Sequence, residues 1–236
     1  MTHDTFDKLA KHFGEASLQL SMEVLEESAK KEAELAIQNG SVVDKLGRPG
    51  ITVSYDGNWA KRSYRHSYNS LLGGGWMIGL HTQMPIAFFT CNKYCATCAS
   101  QSKKGKVELH DCSKNWDQSA KAMEAEIAIQ CSLELAKLKI RVAIIIGDED
   151  ATTISQIHQR LPDDLPGTGH SLKDMAKLSD LNHIKEILKK DLLALRDAKW
   201  KEKSLLTEGA IDHLVHNFSF ALKGNKDNPK SIDLAI

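Results

Sequence analysis

The chain has 236 residues, which is long enough to bury a substantial core in one large domain or two small ones. Hydrophobic residues make up 42% and charged residues 26% of the sequence, as in ordinary globular proteins. The sequence contains no run near the roughly 18 apolar residues that a membrane span needs, and it begins without the basic-then-apolar layout of a secretory signal. We therefore expect neither a membrane protein nor a secreted one.

The net charge is zero, because 31 basic side chains balance 31 acidic ones, but the charge is unevenly distributed. Residues 1–50 carry six Lys or Arg against nine Asp or Glu, whereas residues 51–116 carry eight against three. A neutral total is therefore compatible with a basic face that contacts phosphate, although it does not establish one.

The first third of the chain predicts one helix and one strand. Residues 15–37 form an amphipathic pattern without Gly or Pro, and Asn39-Gly40 is a suitable C-terminal cap. The turn-rich residues 41–50 follow, and the β-rich run 51–55 then ends at Asp56-Gly57.

The rest of the chain alternates strand and helix patterns. Two apolar runs predict a β-meander at 75–81 and 85–91, and a continuous β-branched run predicts a strand at 142–146. Helical patterns predict helices at 117–138, 151–160 and 182–203, and a short strand is predicted at 175–178. The glycines 73–75 lack the Lys-Ser/Thr of a phosphate-binding loop and predict a close-packed turn.

This order of elements predicts an α/β fold with a mixed sheet flanked by helices. It is similar to the order in RNase H-like domains, where acidic residues lie at the ends of the first and fourth strands. Asp56 and Asp148 occupy these two positions, and Asp150 is an alternative to Asp148.

Carboxylates at two neighbouring strand ends suit metal-dependent phosphodiester cleavage. Such cleavage uses cations roughly 3.5–4 Å apart that activate a water and stabilise the leaving oxygen. Mg²⁺ fits because one or two carboxylates and substrate oxygens suffice to hold it. The alternative is structural: Asp-Gly is a common turn after a strand, and Asp148 can simply cap the following helix.

The five cysteines, an odd number without a secretion signal, indicate reduced thiols or metal ligands. Zinc is predicted at a four-ligand site, with Cys91 as a substitute ligand, formed by Cys95, Cys98, His110 and Cys112. Such a site would be structural and would order the polar segment 91–116. A redox pair and plain buried thiols are the alternatives.

A basic stretch follows Asp56 and is a candidate contact for the DNA backbone, with a solvated hairpin as the alternative. It comprises Lys61, Arg62 and Arg65.

The sequence resembles the Mutator-like transposase domain of invertebrate genome-encoded proteins, in blocks that occur in order. These blocks are ITVSYDGNWAKRSY (51–64), NKYCATC (92–98), HDCSKNWDQSAKAME (110–124), IIIGDED (144–150) and LSDLNH (178–183). The resemblance covers residues 50–220 and implies an RNase H-like fold, Mg²⁺- or Mn²⁺-dependent cleavage and transfer of DNA at transposon ends, a nuclear location and a homodimer.

The resemblance also implies a catalytic Asp-Asp-Glu set. Asp56 matches the first acidic residue and Asp148 the second. Asp180 and His183 match a motif of Cys or Asp, two residues, then His, and His183 is thereby assigned to the catalytic site. From the residues alone, His183 is equally a metal neighbour, a phosphate contact or a capping residue.

One departure concerns the third carboxylate, which in the family lies further toward the C-terminus. Glu208 is the nearest candidate here, although nothing around it marks it as catalytic. We therefore expect an N-terminal helical segment, 1–50, and a C-terminally truncated transposase core, 51–236, with a Cys/His-rich insertion. The alternatives are an inactive DNA- or protein-binding remnant and an RNase H-like nuclease outside transposition.

Overall fold

The structure of the protein, a computed structural model, describes residues 3–60, 70–105, 108–147, 151–160, 175–197 and 206–224. The chain divides into two units, residues 1–178 and residues 179–236. Among the described residues, no helix combines the length and the apolar character needed to cross a membrane.

The first unit contains a long N-terminal helix, the strands and three further helices, and its last strand ends at the boundary with the second unit. In chain order these elements are α1 (His3–Gln38), β1 (Gly50–Trp59), β2 (Leu72–Gly79), β3 (Pro85–Asn92), α2 (Ala96–Lys103), α3 (Met123–Lys137), β4 (Arg141–Gly147), α4 (Ala151–Arg160) and β5 (Ala176–Ser179). The described part of the second unit consists of α5 (Leu181–Asp197) and α6 (Glu208–Gly224).

The five strands form one mixed sheet in the order β3-β2-β1-β4-β5. The β1–β2 and β2–β3 pairs are antiparallel, as in a meander, whereas β1 and β4 are parallel. The predicted α/β class, an RNase H-like mixed sheet flanked by helices, is confirmed.

The hydrophobic core lies between the sheet and α3. Ile51 and Val53 of β1, Met77 of β2, and Ile127 and Leu135 of α3 are almost completely buried. Burying a side chain of this size contributes about 2 kcal/mol. The amphipathic spacing of α3 therefore stabilises the fold by covering one face of β2 and β3.

The helix α1 is attached to the sheet through small residues and one buried acid. Ala29, Ala33 and Ala36 belong to the core, and their small side chains let the helix lie close. Glu32 is fully buried and accepts hydrogen bonds from the backbone N–H groups of His81 and Thr82, at 3.0 and 2.8 Å. The turn between β2 and β3 is thereby anchored to α1.

Two predictions about β1 and β2 are wrong in an informative way. β1 continues beyond Asp56 to Trp59, because β2 supplies hydrogen-bonding partners along this whole stretch. The three glycines Gly73 to Gly75 lie inside β2 rather than in a turn. Gly75 sits directly beneath α3, where a Cβ atom would lie 2.8 Å from Ile127 Cγ2.

Replacing Gly75 with alanine is expected to lower the free energy of unfolding by about 2 kcal/mol, because the added methyl group would overpack the contact with α3. Gly74→Ala is the matched control, since its Cβ would meet its nearest neighbour, Thr90, at an ordinary 3.5 Å. Urea denaturation of both variants measures the difference. Equal stability losses would contradict the close packing of Gly75.

Candidate functional site

A cleft opens where the pairing of β1 with β4 ends. The last paired residues are Ser54 and Ile146, while β1 continues to Trp59 alongside β2. The cleft has a volume of about 90 Å³, and its polar and backbone lining includes Asp56, Gly57, Glu124, Gly147, Thr153 and Lys177. Three elements thus meet at this point: the end of the sheet and the first turns of α3 and α4.

Asp56, the predicted first acidic position, is exposed on β1 and lines this cleft. Asp148 and Asp150 lie outside the described residues. The parallel register nevertheless places Ser54 beside Ile146, and each of these residues is followed two positions later by an aspartate. The predicted adjacency of the first and fourth strands is therefore confirmed.

The cleft also contains a carboxylate that the sequence reasoning missed. Glu124 is half-buried in the first turn of α3, and its Oε1 accepts a 3.4 Å hydrogen bond from the Thr153 hydroxyl of α4. Its Cγ lies 3.7 Å from the position that a Cβ on Gly57 would occupy. An acidic residue opening the helix after the third strand is the signal that points to it.

Tyr55 connects β1 to α3 beside the cleft. Its phenol donates a 2.8 Å hydrogen bond to the backbone carbonyl of Glu124. Burial raises the pKa of Tyr55, and the nearby charges of Glu124 and Asp56 raise it further. The phenol is therefore neutral near pH 7 and acts as a hydrogen-bond donor that fixes the first turn of α3.

The other predicted site residues lie in the second unit or outside the described residues. Asp180 precedes α5, where its Oδ1 accepts a 2.9 Å hydrogen bond from the Asn182 backbone N–H, a typical capping contact. His183 is half-buried in the first turn of α5, and Glu208 is exposed at the first residue of α6. The basic stretch of Lys61, Arg62 and Arg65 is outside the described residues.

A second candidate site lies between β3 and α3. The structure brings together one imidazole and three thiols whose ligand atoms all lie within 4.8 Å of one another, from Cys95, Cys98, His110 and Cys112. His110 Nε2 is 3.4 Å from Cys95 Sγ and 3.3 Å from Cys98 Sγ. This cluster can hold a metal ion. Cys91, the substitute ligand of the sequence analysis, is buried in the core instead.

The polar contacts of this cluster orient its histidine. His110 Nδ1 lies 3.1 Å from the Glu108 carbonyl oxygen, so an N–H on Nδ1 leaves Nε2 directed at the thiols. The pKa of Cys95 falls to about 5, since the backbone N–H of Cys98 and the ring of His110 both hydrogen-bond its sulfur. The pKa of His110 rises to about 9 through its bonds with Glu108 and Cys95. Without a metal, the cluster therefore favours one deprotonated sulfur beside a protonated imidazole, and metal binding would release the proton from His110 Nε2.

The sheet order and the acidic cleft at the ends of β1 and β4 define an RNase H-like domain. The model of the Mutator-like transposase family matches residues 1–236, and the chain belongs to this family. A search of curated proteins and a search of solved structures each gave no match.

Tyr55→Phe tests the link between β1 and α3. Removing the phenol oxygen deletes its bond to the Glu124 carbonyl and is expected to lower the free energy of unfolding by about 1 kcal/mol. Tyr94→Phe is the control, because Tyr94 is half-exposed on the surface. Denaturant titration would argue against the link if the two variants were equally stable.

Proposed function

We propose that this chain is the core of a cut-and-paste transposase that cleaves and transfers DNA strands with the help of Mg²⁺ or Mn²⁺. The observation that carries the proposal is the position of Asp56, at a cleft beside the end of a parallel neighbouring strand, in a member of the Mutator-like transposase family. Asp148, which follows β4, is the second acidic residue of the proposed site.

The residues at the cleft suit a hard divalent cation. Carboxylate oxygens are the ligands that Mg²⁺ and Mn²⁺ prefer, and both ions retain several waters when bound. A cleft of about 90 Å³ has room for a hydrated ion, since about 10–15 Å³ of such space suffices to hold one water. When bound, such cations activate a water and stabilise the leaving oxygen of a phosphodiester.

The remaining predicted residues have supporting roles in this proposal. Asp56 and Asp148 hold the cations, with Asp150 as an additional acid. His183 completes the catalytic set, and the DNA backbone is contacted by Lys61, Arg62 and Arg65. The proposed substrate is the end of a transposon, and the protein would therefore act in the nucleus. It would act there as a homodimer.

Asp56→Asn and Asp148→Asn test the proposed cation site, because each removes an anionic ligand while changing little volume. Calorimetric titration of the zinc-loaded full chain with Mn²⁺ is expected to show at least an approximately tenfold loss of affinity in both variants. Asp117→Asn is the control, because Asp117 is an exposed residue paired with Lys114 outside the cleft. Unchanged Mn²⁺ affinity in the Asp56 variant would remove the basis of the assignment.

We also propose that the Cys/His cluster holds a structural zinc ion. Three thiols and one imidazole match the number and type of ligands in closed zinc sites. The helix α2, which contributes Cys98 and follows Cys95, has no buried residue of its own. A metal would therefore supply the energy that orders this segment, since the hydrophobic core does not.

Cys98→Ser is expected to reduce bound zinc from about one ion per chain to near zero, because serine is a poor ligand for this metal. The loss should be accompanied by faster hydrogen exchange in α2 and an unchanged β-sheet. Cys131→Ala is the control, because Cys131 is buried in the core away from the cluster. Elemental analysis decides the question, and a parent protein purified without zinc would contradict the proposal.

A further inference from the structure

The first part of α1 is a helix that the sheet does not cover. The described side chains of residues 5–27 include none that is buried, whereas the core contacts of α1 are made by Ala29, Ala33 and Ala36. At 1.5 Å per residue, the segment 3–27 extends over about 36 Å. A helix in a protein is stabilised mainly by packing an apolar face, and Gly14 weakens this one further. The segment therefore calls for a contact outside the described fold.

A stripe of large apolar side chains runs along one side of this segment. These side chains expose between 46% and 76% of their surface, and they form the outer stripe: Phe6, Leu9, Phe13, Leu20 and Val24. Their spacing of three, four, seven and four residues keeps them on one side of the helix. Leu20 and Ala29 are nine residues apart, or about two and a half turns, so the outer stripe lies opposite the side that packs on the sheet.

The outer stripe has the size of an interface rather than of scattered surface residues. An aromatic side chain buries roughly 150–250 Å² when fully covered, so two phenylalanines and three aliphatic residues exposed to this degree present roughly 500–600 Å². The largest exposed apolar patch on a typical monomer measures about 300–600 Å² and is often functional. Two such stripes packed together bury roughly 1,000–1,200 Å², which reaches the lower limit for a specific protein interface.

We propose that the outer stripe is the surface through which two copies of this chain associate, with their α1 helices antiparallel. The inference rests on the proposed function for its expectation of a homodimer, and it assigns a surface to that dimer. It involves no residue of the cleft, so cation binding and dimerisation can fail independently of each other.

The residue sizes along the outer stripe fit an antiparallel pair related by a twofold axis. The exposed Ala16 continues the helical spacing between Phe13 and Leu20. If the axis passes midway between Phe13 and Ala16, each Phe13 lies opposite the small Ala16 of the other copy, and each Leu9 lies opposite Leu20. Such an interface is isologous, since both copies contribute the same surface. A parallel pair would instead place Phe13 against Phe13 and Ala16 against Ala16, which packs less evenly.

The charge of the segment favours the same orientation and disfavours a polyanionic partner. Residues 3–27 carry six Asp or Glu against two Lys, an excess of acid that would repel DNA or an anionic lipid surface. Residues 3–12 are balanced, with two acids and two lysines, whereas residues 23–27 carry three acids. An antiparallel pair places each acidic end beside the balanced half of the other copy. A parallel pair would place the two acidic ends side by side, where they repel each other.

Phe13→Glu tests the surface by sedimentation velocity of the zinc-loaded full chain over a range of concentrations. Phe13 is 76% exposed, so a carboxylate there is tolerated in one copy but would be buried without a partner in the dimer. We expect the parent to dimerise and the variant to raise the dissociation constant at least about thirtyfold. Leu18→Glu is the matched control, because Leu18 is 62% exposed on the same helix but lies outside the outer stripe. Circular dichroism of both variants checks that the fold is retained.

Disulfide formation between two cysteine variants tests the antiparallel orientation. We expect a mixture of Leu9→Cys and Leu20→Cys chains to form a cross-linked dimer with oxidised glutathione, because these two positions face each other across the axis. Leu9→Cys alone should stay uncross-linked, since its two copies would lie about 16 Å apart along the helices. The parent chain, with only its native cysteines, is the control.

The outcomes separate this inference from the rest of the proposed function. A parent chain that stays monomeric at every concentration overturns the outer stripe as an interface and the homodimer with it, whereas the Mn²⁺ titration decides the cation site separately. A dimer that Phe13→Glu leaves intact, or that Leu18→Glu weakens equally, overturns the outer stripe and leaves the homodimer standing. Cross-linking of Leu9→Cys to itself overturns the antiparallel orientation.

Discussion

The parallel pairing of β1 with β4 is the constraint on which the rest of the structure depends. Parallel strands cannot be joined by a tight turn, so the chain must cross over the sheet between them. Here the crossover contains α3, whose apolar side packs on β2 and β3. The same pairing brings the carboxyl ends of β1 and β4 to one edge of the sheet. The pairing ends at Ser54 and Ile146, whereas β1 continues to Trp59 beside β2, and the cleft lies at this point.

The long connection between β3 and α3 can carry a separate module because its two ends are held together. The Asn115 side chain accepts a hydrogen bond from the Asn92 backbone N–H and donates one to the Thr90 carbonyl oxygen. The backbone N–H of Trp116 donates to the Asn92 carbonyl oxygen. The Cys/His cluster therefore lies within a loop that is closed at its base, and a metal there can order α2 without altering the sheet.

The sequence predicted the sheet well, for physical reasons. Alternating and continuous apolar runs are local signals, and they located β1 to β4 to within a few residues. The end of β1 was misplaced because Asp-Gly is a turn signal in isolation, whereas the pairing with β2 continues through it. The glycines of β2 were misread because their close contact with α3 is a tertiary requirement that local propensity does not contain.

Two helices and one residue of the cleft were missed, for different reasons. The helix α2 has no apolar face to detect. The helix α6 does have apolar spacing at Ile211, Val215 and Phe218, and Thr207 caps its first turn, so it was detectable. Glu124 was missed because an acidic residue at the start of a helix is a common and therefore weak signal. The strand order is needed to show that this end of α3 lies at the cleft.

This dependence on topology also determines the lining of the cleft. Asp56 and Glu124 both line it, and both lie in elements of the first unit. Glu124 is positioned by the packing of α3 that stabilises the fold, and the Tyr55 phenol holds its backbone carbonyl. The core that buries Ile127 and Leu135 thus also positions the first turn of α3 at the cleft.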